Sequence, residues 1–456
     1  MQTPFPFETM ILFGWLACML IIGVLLRAKI PLLQRYLLPS CLIGGILGLI
    51  IVSTKAINVS VSGLESLAYH FFNISFISLG LTKSSGPGAS RTPGKQVLKG
   101  SSWMVLVQAS VFGMQAAIGG LVVIIFGLFG TTLFPTFGFL APLGFEEGPG
   151  QALSMGKVWE GFGFAHGATI GLTFAAIGFF FAFFVGVPLV NRGIRKGLAS
   201  QGVKVLSRDF LTGILTDNIN KRPAGELRLH PGNVDSMAFQ AALVGLVYML
   251  TYAFVKYVGI LLPPDTAKIL WGFLFIFGLF LAVLIRSLAR KLGFEPLIDA
   301  GIQRRITGLA VDFLIVSTVM AIRLPVVWQY ILPVSVISIL SGLFTTLILV
   351  YMGKRLWNYN LERTAALYGT VTGTVSTGLL LLRIADPDFR TPVVMELAIM
   401  NIFSVPLIGA CLVLVNAPVW WNWSTGLTSL IFLGIMAACL TALRVLKFMT
   451  RPRSSP

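Results

Sequence analysis

Long uncharged, apolar stretches alternate with short charged segments along nearly the whole chain. A helix needs about 20 apolar residues to cross the hydrocarbon core of a bilayer, and eleven stretches meet that requirement. The predicted spans are 9–26, 36–54, 66–82, one within 100–145, 161–191, 236–261, 268–286, 306–323, 327–352, 391–416 and 425–443. The pattern therefore predicts an all-α multi-pass membrane protein.

Two further segments, 140–162 and 364–383, are apolar on average but too rich in glycine and polar residues for full spans. The first contains Gly144, Glu146, Glu147, Gly148, Pro149 and Gly150, and the second contains Gly369, Gly373 and Gly378 among five hydroxyl residues. Irregular backbone at membrane depth is tolerated only inside protein or beside a water-filled cavity. Both segments are therefore predicted to be re-entrant or broken, although close helix packing explains small residues equally well in either one alone.

Composition agrees with a membrane protein and argues against other classes. The 456 residues are 56% hydrophobic and 11% charged, with a mean hydropathy of +0.87, whereas soluble domains carry about 25% charged residues. The net charge of +17 does not predict nucleic-acid binding, because the basic residues lie between apolar runs. Three histidines and no nucleophile elbow, Walker loop or HExxH motif lead us to expect no enzymatic activity.

The basic residues also predict the orientation. With the N-terminus outside, the inner segments collect 29 of the 34 Lys and Arg residues, as the positive-inside rule requires. We therefore expect the loop 191–235 and the C-terminus in the cytoplasm and Trp420–Trp423 outside. The predicted location is the plasma (inner) membrane, with lipid as its surroundings.

The order of elements recurs in the two halves of the chain. In each half, four spans precede a broken segment and one span follows it, and an odd number of spans places the halves in opposite orientations. Inverted repeats with paired discontinuous segments are typical of secondary transporters. The predicted units are a first repeat at 1–192, a linker at 193–235, a second repeat at 236–416 and an extra span with a cytoplasmic tail at 417–456.

Acidic residues within or beside the spans are candidates for binding Na⁺ or a proton. Asp312 lies inside a predicted span, where an ionisable residue is a functional candidate by default. Glu146 and Glu147 lie in the first broken segment, where carboxylates and unwound carbonyls can ligate Na⁺. The alternatives are a structural hydrogen bond for Asp312 and a solvated outer loop for the two glutamates. Glu396 begins a helix and is expected to face water.

The second broken segment offers oxygen ligands for a solute. Its hydroxyls lie mostly two residues apart, a spacing suited to an extended strand lining a site, although threonine is also common in packed membrane helices. Arg383 can bind a solute carboxylate or extend to the cytoplasmic interface. The hydroxyl candidates are Thr370, Thr372, Thr374, Ser376 and Thr377.

Several short passages resemble the glutamate:sodium symporter family, over nearly the whole chain except the last span. The passages are Lys29-Ile-Pro-Leu-Leu-Gln-Arg-Tyr-Leu-Leu-Pro39 followed by Gly44-Gly45, Ser78-Leu-Gly-Leu81, Trp159-Glu160-Gly161-Phe162-Gly163, Val187-Pro-Leu-Val-Asn-Arg192 and Met320-Ala-Ile-Arg-Leu324. The resemblance implies a dimeric, sodium-coupled carrier of glutamate-like solutes, in which a mobile core moves like an elevator against a dimer scaffold. It also implies solute contacts at the two Gly-rich loops, here Gly148, Gly150 and Gln151 in the first and Gly373 in the second.

The chain departs from the family at Glu146 and Glu147, where relatives have glycine. Two carboxylates near the solute would repel a dianion, so we expect glutamate to be transported poorly. The predicted function is sodium-coupled symport of an amino acid or small organic anion. Two alternatives stay open, a proton-coupled carrier or uniporter of another solute and a non-transporting membrane sensor or scaffold with the same fold.

Overall fold

The computed structural model describes residues 5–82, 94–200, 206–215, 225–230 and 232–449. Parts of the predicted linker and the end of the tail, with Ser454, lie outside these ranges. Every regular element in the described part is helical. The helices are α1 (Glu8–Lys29), α2 (Pro31–Arg35), α3 (Ser40–Ser53), α4 (Val61–Leu81), α5 (Lys95–Leu128), α6 (Leu140–Phe145), α7 (Pro149–Glu160), α8 (Gly167–Phe180), α9 (Val187–Arg195), α10 (Arg208–Thr212), α11 (Ser236–Ile260), α12 (Pro264–Gly272), α13 (Leu274–Lys291), α14 (Ala300–Met320), α15 (Leu324–Gln329), α16 (Ile331–Gly353), α17 (Asn360–Val371), α18 (Val375–Ala385), α19 (Val393–Phe403), α20 (Val405–Leu414), α21 (Ala417–Trp420) and α22 (Thr425–Val445).

Six described helices are long and apolar enough to cross a membrane, and two bent helix pairs raise the number to eight. The six are α1, α5, the continuous run Gly167–Arg195 that joins α8 to α9, α11, α16 and α22. The pair α12 and α13 bends by 66° and the pair α19 and α20 by 49°. Pro406 follows the second bend and cannot donate the backbone hydrogen bond that would continue the helix. These helices identify an all-α multi-pass membrane protein.

Three predicted spans fall short of that standard for different reasons. Helix α3 is apolar but has 14 residues, which is short for an untilted span. Helices α4 and α14 have 21 residues each, but both include charged and polar side chains that lower their hydropathy. Length and composition alone therefore do not test these three spans.

A first helix group consists of α1, α3, α4, α11, α13 and α14. Its centre is the pair α4 and α14, which run antiparallel, because Glu65 near the start of α4 approaches Arg323 just after α14, with 3.9 Å between Oε1 and Nη2. At the other end, the Ser78 hydroxyl donates to the Gln303 carbonyl over 2.7 Å. Helix α1 contacts α3 so closely at Gly23 and Gly44 that a Cβ on either would overlap the facing backbone, as small residues at membrane helix contacts allow.

A second helix group is built around α5 and contains α6, α7, α8, α16, α17, α18, α19 and α22. Helix α22 runs antiparallel to α5, since Gly113 lies against Phe432 and Gly120 lies against Ser429. The Gln115 amide of α5 donates to the Thr345 hydroxyl of α16 over 3.0 Å. One continuous hydrophobic core contains buried residues of both helix groups, among them Leu16 of α1, Phe112 of α5 and Phe145 of α6.

Residues that were predicted to lie outside and residues that were predicted to lie in the cytoplasm are found at two opposite ends of the molecule. At one end, the Lys157 ammonium lies 2.9 Å from Glu65 and the Trp420 indole donates to Thr266 over 3.1 Å. At the other end, Arg27 donates to the Phe210 carbonyl of the linker over 3.1 Å. We call these the Lys157 end and the Arg27 end.

Candidate functional site

Each of the two broken segments contains a helix break. In the first, α6 ends at Phe145 and α7 begins at Pro149. Gly148 connects them with φ +85° and ψ −178°, a conformation essentially restricted to glycine. In the second, α17 ends at Val371 and α18 begins after Thr374. We name α6 with α7 the first hairpin, and α17 with α18 the second hairpin.

The two breaks touch each other. A Cβ on Gly148 would lie 2.8 Å from Cγ2 of Thr374 and 3.2 Å from the carbonyl oxygen of Gly373. Helix α8 lies against both, because a Cβ on Gly178 would be 2.9 Å from the Thr372 carbonyl oxygen and 3.1 Å from Cα of Phe145. The tips of the two hairpins therefore meet at one level of α8.

The first hairpin enters and leaves from the Lys157 end. Helix α7 runs antiparallel to α8, with Gly156 against Gly167 at the beginning of α8. The segment before α6 returns to that same end, since the Phe134 and Phe164 rings stack with centroids 4.7 Å apart.

The second hairpin enters and leaves from the opposite end. Gly193, close to the end of α9, lies against Leu361 at the beginning of α17. Gly186 lies in the π-helical turn between α8 and α9, and a Cβ there would lie 2.7 Å from Leu381 of α18 and 2.9 Å from Tyr368 of α17. The two hairpins thus approach each other from opposite ends of the same helix.

Glu146 lies at the tip of the first hairpin without a partner. Its side chain is 4% exposed, and no hydrogen bond from the described residues reaches either carboxylate oxygen. Gln108 of α5 is near enough to interact with it, outside ordinary hydrogen-bond geometry, and Cys411 of α20 lies close by. Because an isolated buried carboxylate is costly, this position requires either a proton or a bound cation.

Unpartnered amides accompany this carboxylate. Gln151 is 1% exposed, and neither its oxygen nor its nitrogen has a hydrogen-bond partner among the described residues. The Gln108 oxygen is likewise unpartnered. Glu147, the neighbour of Glu146, is half-buried and has no ion pair within the described part of the chain. At Gly150, a Cβ would overlap the Phe72 ring of α4, so the beginning of α7 lies directly against the first helix group.

The hydroxyls of the second hairpin are arranged differently. Thr370 donates to the Ala366 carbonyl over 2.9 Å and Thr372 donates to the Tyr368 carbonyl over 2.6 Å. The expectation of an extended strand was wrong, because these hydroxyls bond back to the preceding helical turn and α17 continues through Val371. Only Thr374 has extended backbone, with φ −153°.

The remaining hydroxyls surround the beginning of α18. The Thr374 and Thr377 hydroxyls are 3.3 Å apart. Ser376 is exposed, and its hydroxyl forms no hydrogen bond with the described residues. Of the hydroxyl residues only Thr374 touches Gly148 of the first hairpin, together with the backbone of Gly373.

Two candidate residues lie away from the breaks. Arg383 is eight residues beyond the first residue of α18, about 12 Å along a helix, and its guanidinium lies 4.8 Å from the centroid of the Phe389 ring. Asp312 lies on the exposed surface of α14 beside Cys41. Within the described ranges, no three His, Cys, Asp or Glu residues are placed to hold a metal ion. Asp312 therefore does not join Glu146 and Glu147 in one cation site.

The bases of the hairpins contain residues that the sequence did not single out. Lys157 binds Glu160 and also Glu65 of α4, each at 2.9 Å, and this contact joins the two helix groups. At the base of the second hairpin, Arg363 forms a fully buried bidentate pair with Glu396 at 2.6 and 2.7 Å. The expectation that Glu396 faces water was wrong, because α19 turns this side chain towards α17 and α5.

Two further residues near the breaks, Gln108 and Gln115, could have been identified from the sequence. They are seven residues apart within the apolar helix α5, so they lie on one face, and polar residues inside a span are rarely incidental.

The chain matches no family model, and no curated protein sequence matches it significantly. The family resemblance therefore stays a prediction.

Proposed function

We propose that the protein is a cation-coupled secondary transporter of a small solute, with Na⁺ as the coupling ion. The observation that carries this proposal is the contact between two oppositely directed hairpins, one of which has the buried, unpartnered carboxylate of Glu146 at its tip. Broken helices that meet from opposite sides provide unpaired backbone and side-chain oxygens at depth. A structural scaffold has no need of an uncompensated acid there.

The side-chain oxygens at and beside the tip of the first hairpin are suitable ligands for a hard cation. Na⁺, like other hard cations, prefers carboxylate, carbonyl and amide oxygens. Glu146, Gln108 and Gln151 each have a side-chain oxygen with no hydrogen-bond donor among the described residues. Proton coupling is the second candidate, since protonation also removes the cost of the buried charge.

The proposed solute is an amino acid or a small organic acid, with neutral and zwitterionic solutes preferred over glutamate. No ion pair in the described residues places Lys or Arg against Glu146 or Glu147, and Arg383 is directed away from the tips. A dianion would therefore meet carboxylates without compensating positive charge. The solute contacts we propose are Gly148, Gly150 and Gln151, together with the hydroxyls exposed near Thr374.

The arrangement of the two helix groups supports an inverted repeat. The third predicted spans, α4 and α14, pack antiparallel. Each also packs against the second span of the other half, α4 against α13 and α14 against α3. Such reciprocal contacts are expected of two halves inserted in opposite orientations. We propose that the group around α5 is the mobile core and that the group around α4 is the scaffold of a homodimer in the inner membrane, with the Lys157 end outside.

Uptake into proteoliposomes tests the function. Initial rates measured over a panel of amino acids and dicarboxylic acids, with a Na⁺ gradient, a proton gradient or neither, should rise with Na⁺ for at least one neutral or zwitterionic solute. Stimulation by a proton gradient alone would establish the second candidate. No accumulation and no exchange of any solute would favour a sensor or scaffold.

A disulfide cross-link tests the proposed motion of the helix group around α5 relative to the group around α4. We expect oxidation of an E65C/K157C variant to join α4 to the first hairpin and stop uptake, and reduction to restore it. The single variants E65C and K157C control for oxidation of the native cysteines. Full uptake by the oxidised, cross-linked protein would exclude sliding of the core at this contact.

A further inference from the structure

A cavity of about 510 Å³ lies in the first helix group at the Arg27 end, away from both hairpins. It opens where α13 ends, α14 begins and the linker segment 225–228 crosses α14. The linker approaches closely, because a Cβ on Gly225 would lie 2.8 Å from Oδ1 of Asp299. The proposed transport site uses none of these residues.

Each acidic side chain around this cavity already has an arginine partner. Asp299 accepts from Arg228 over 3.3 Å and from the Ile302 backbone over 2.7 Å. Glu226 lies 2.7 Å from Arg228, and Glu295 lies 3.1 Å from Arg290. Arg228 serves both Asp299 and Glu226, and with Arg286 and Arg304 four arginines adjoin these three acids, which leaves no surplus negative charge for a cation.

Two arginines that line the cavity keep unused donors. Arg286 donates through Nη1 to the Thr82 carbonyl, but its Nε is buried without a hydrogen-bond partner. Arg304 is exposed, and its guanidinium has no hydrogen bond or ion pair within the described part of the chain. The free hydrogen-bonding capacity of the cavity is thus positively charged, and two guanidinium groups suit the oxygens of a phosphate group.

The depth of the cavity indicates where such a phosphate would come from. Leu81, the last residue of the apolar helix α4, lines it. Arg286 follows directly on the uncharged stretch 269–285, and Arg304 precedes the apolar part of α14, which begins at Ile306. Val283, one turn before Arg286 on the same side of α13, is exposed. The arginines therefore lie where the helices leave the hydrocarbon region, at the level of lipid headgroups.

We propose that this cavity binds the phosphate group of an anionic phospholipid between the linker and the beginning of α14, with Arg286 and Arg304 as its ligands. Free phosphate has the same chemistry, but it would not need a site at the end of the apolar segments. The proposal is independent of the transported solute.

Native mass spectrometry of the full-length protein tests it. We expect phosphatidylglycerol to be retained in preference to phosphatidylcholine, and R304Q to weaken that retention about tenfold. R305Q is the matched control, because Arg305 carries the same charge on the adjacent residue but does not line the cavity. R304K, which keeps the charge, should recover part of the binding.

The outcomes separate the alternatives. Equal retention by R304Q and R305Q, or no preference for phosphatidylglycerol, would overturn the site. Displacement of the lipid by millimolar inorganic phosphate, with equal binding of phosphate alone, would overturn the lipid assignment in favour of a free ion. Arg304 has no bond to lose within the described residues, so an unchanged melting temperature is expected for R304Q, and the R304K comparison keeps the test valid if R304Q fails to fold.

Discussion

The two hairpins have the same architecture, but they differ in where their polar groups have hydrogen-bond or ion-pair partners. The first has an unpartnered carboxylate at its tip and a half-exposed ion pair, Lys157 with Glu65, at its base. The second has hydroxyls bonded within its own helix near the tip and a fully buried ion pair, Arg363 with Glu396, at its base. We therefore propose that the first hairpin binds the ion and moves relative to α4, whereas the buried pair holds the second hairpin to α19.

The largest effect is expected at the base of the second hairpin. Arg363→Met leaves Glu396 buried and unpaired, and such a loss costs about 3–5 kcal/mol. We expect little folded protein by fluorescence-detected size exclusion. The double variant R363M/E396M removes both charges and should recover much of the yield. A single variant as stable as the native protein would show that the pair does not hold the hairpin.

The next largest effect is expected at the tip of the first hairpin. Glu146→Gln keeps the shape of the side chain and removes its charge, so Na⁺-stimulated uptake should fall roughly 100-fold, about 2.7 kcal/mol. Thermal stability should be unchanged or higher, because an uncompensated buried charge is lost.

Two matched variants test whether the loss of uptake is specific to Glu146. Thr372→Val, at the tip of the second hairpin, and Asp312→Asn, on a carboxylate outside the hairpins, should each change uptake about fivefold or less. This rests on about 1 kcal/mol or less for one internal hydrogen bond. An Asp312→Asn variant as inactive as Glu146→Gln would mean that the coupling ion binds on α14.

A smaller effect is expected where the hairpins touch. Gly148→Ala places a Cβ 2.8 Å from Thr374 in a backbone conformation that alanine rarely adopts, at a cost of about 1–3 kcal/mol. Uptake should fall about tenfold in the folded protein. The addition of Thr374→Ser removes the facing methyl group and should restore part of the rate. No recovery in the double variant would assign the whole loss to the backbone of Gly148.

The smallest effect is expected at the base of the first hairpin. The Lys157 side chain is 54% exposed, and its buried partner Glu65 still has Arg323 at 3.9 Å when Lys157 is replaced. We therefore expect the contribution of an exposed ion pair, about 0–1 kcal/mol. Lys157→Gln should leave the melting temperature within a few degrees. It should lower the population joined to α4 by about fivefold or less. Distances between spin labels at Ser62 and Gly161, in a variant without the exposed Cys18, measure that population. A loss of folding as severe as that of Arg363→Met would remove the distinction between the two bases.

The sequence predicted helices better than it predicted their contacts. Apolar runs and their charged borders locate α1, α5, α11, α16 and α22, because the cost of burying charge acts residue by residue. The bend between α12 and α13 has only Gly272 beside it, and a single glycine in an apolar run is just as typical of a straight, closely packed membrane helix. The alternating hydroxyls near Thr372 favoured a strand, yet hydrogen bonds to the preceding turn satisfy them within a helix.

The candidate site could be predicted only in part, because contacts between distant parts of the chain do not follow from the local sequence. Glycine next to acid and proline marks the break at Gly148 directly, since few other residues adopt that conformation. Burial of Glu146, in contrast, depends on α5 and α20, which are distant in the chain. The pairing of Glu396 with Arg363 likewise requires knowing which face of α19 meets α17.

Helix α8 gives the two hairpins a common boundary with almost no free space. At Gly178 the backbone of each break lies within van der Waals contact of where a Cβ would be. We propose that a displacement of one tip is transmitted to the other, so that the affinity for the ion would depend on whether the solute is bound, by the same factor in both directions. In a carrier this linkage prevents slippage, the leak of ion without solute. Gly178→Ala would separate the tips, and its expected defect is a lower solute-to-ion stoichiometry at a nearly normal ion flux.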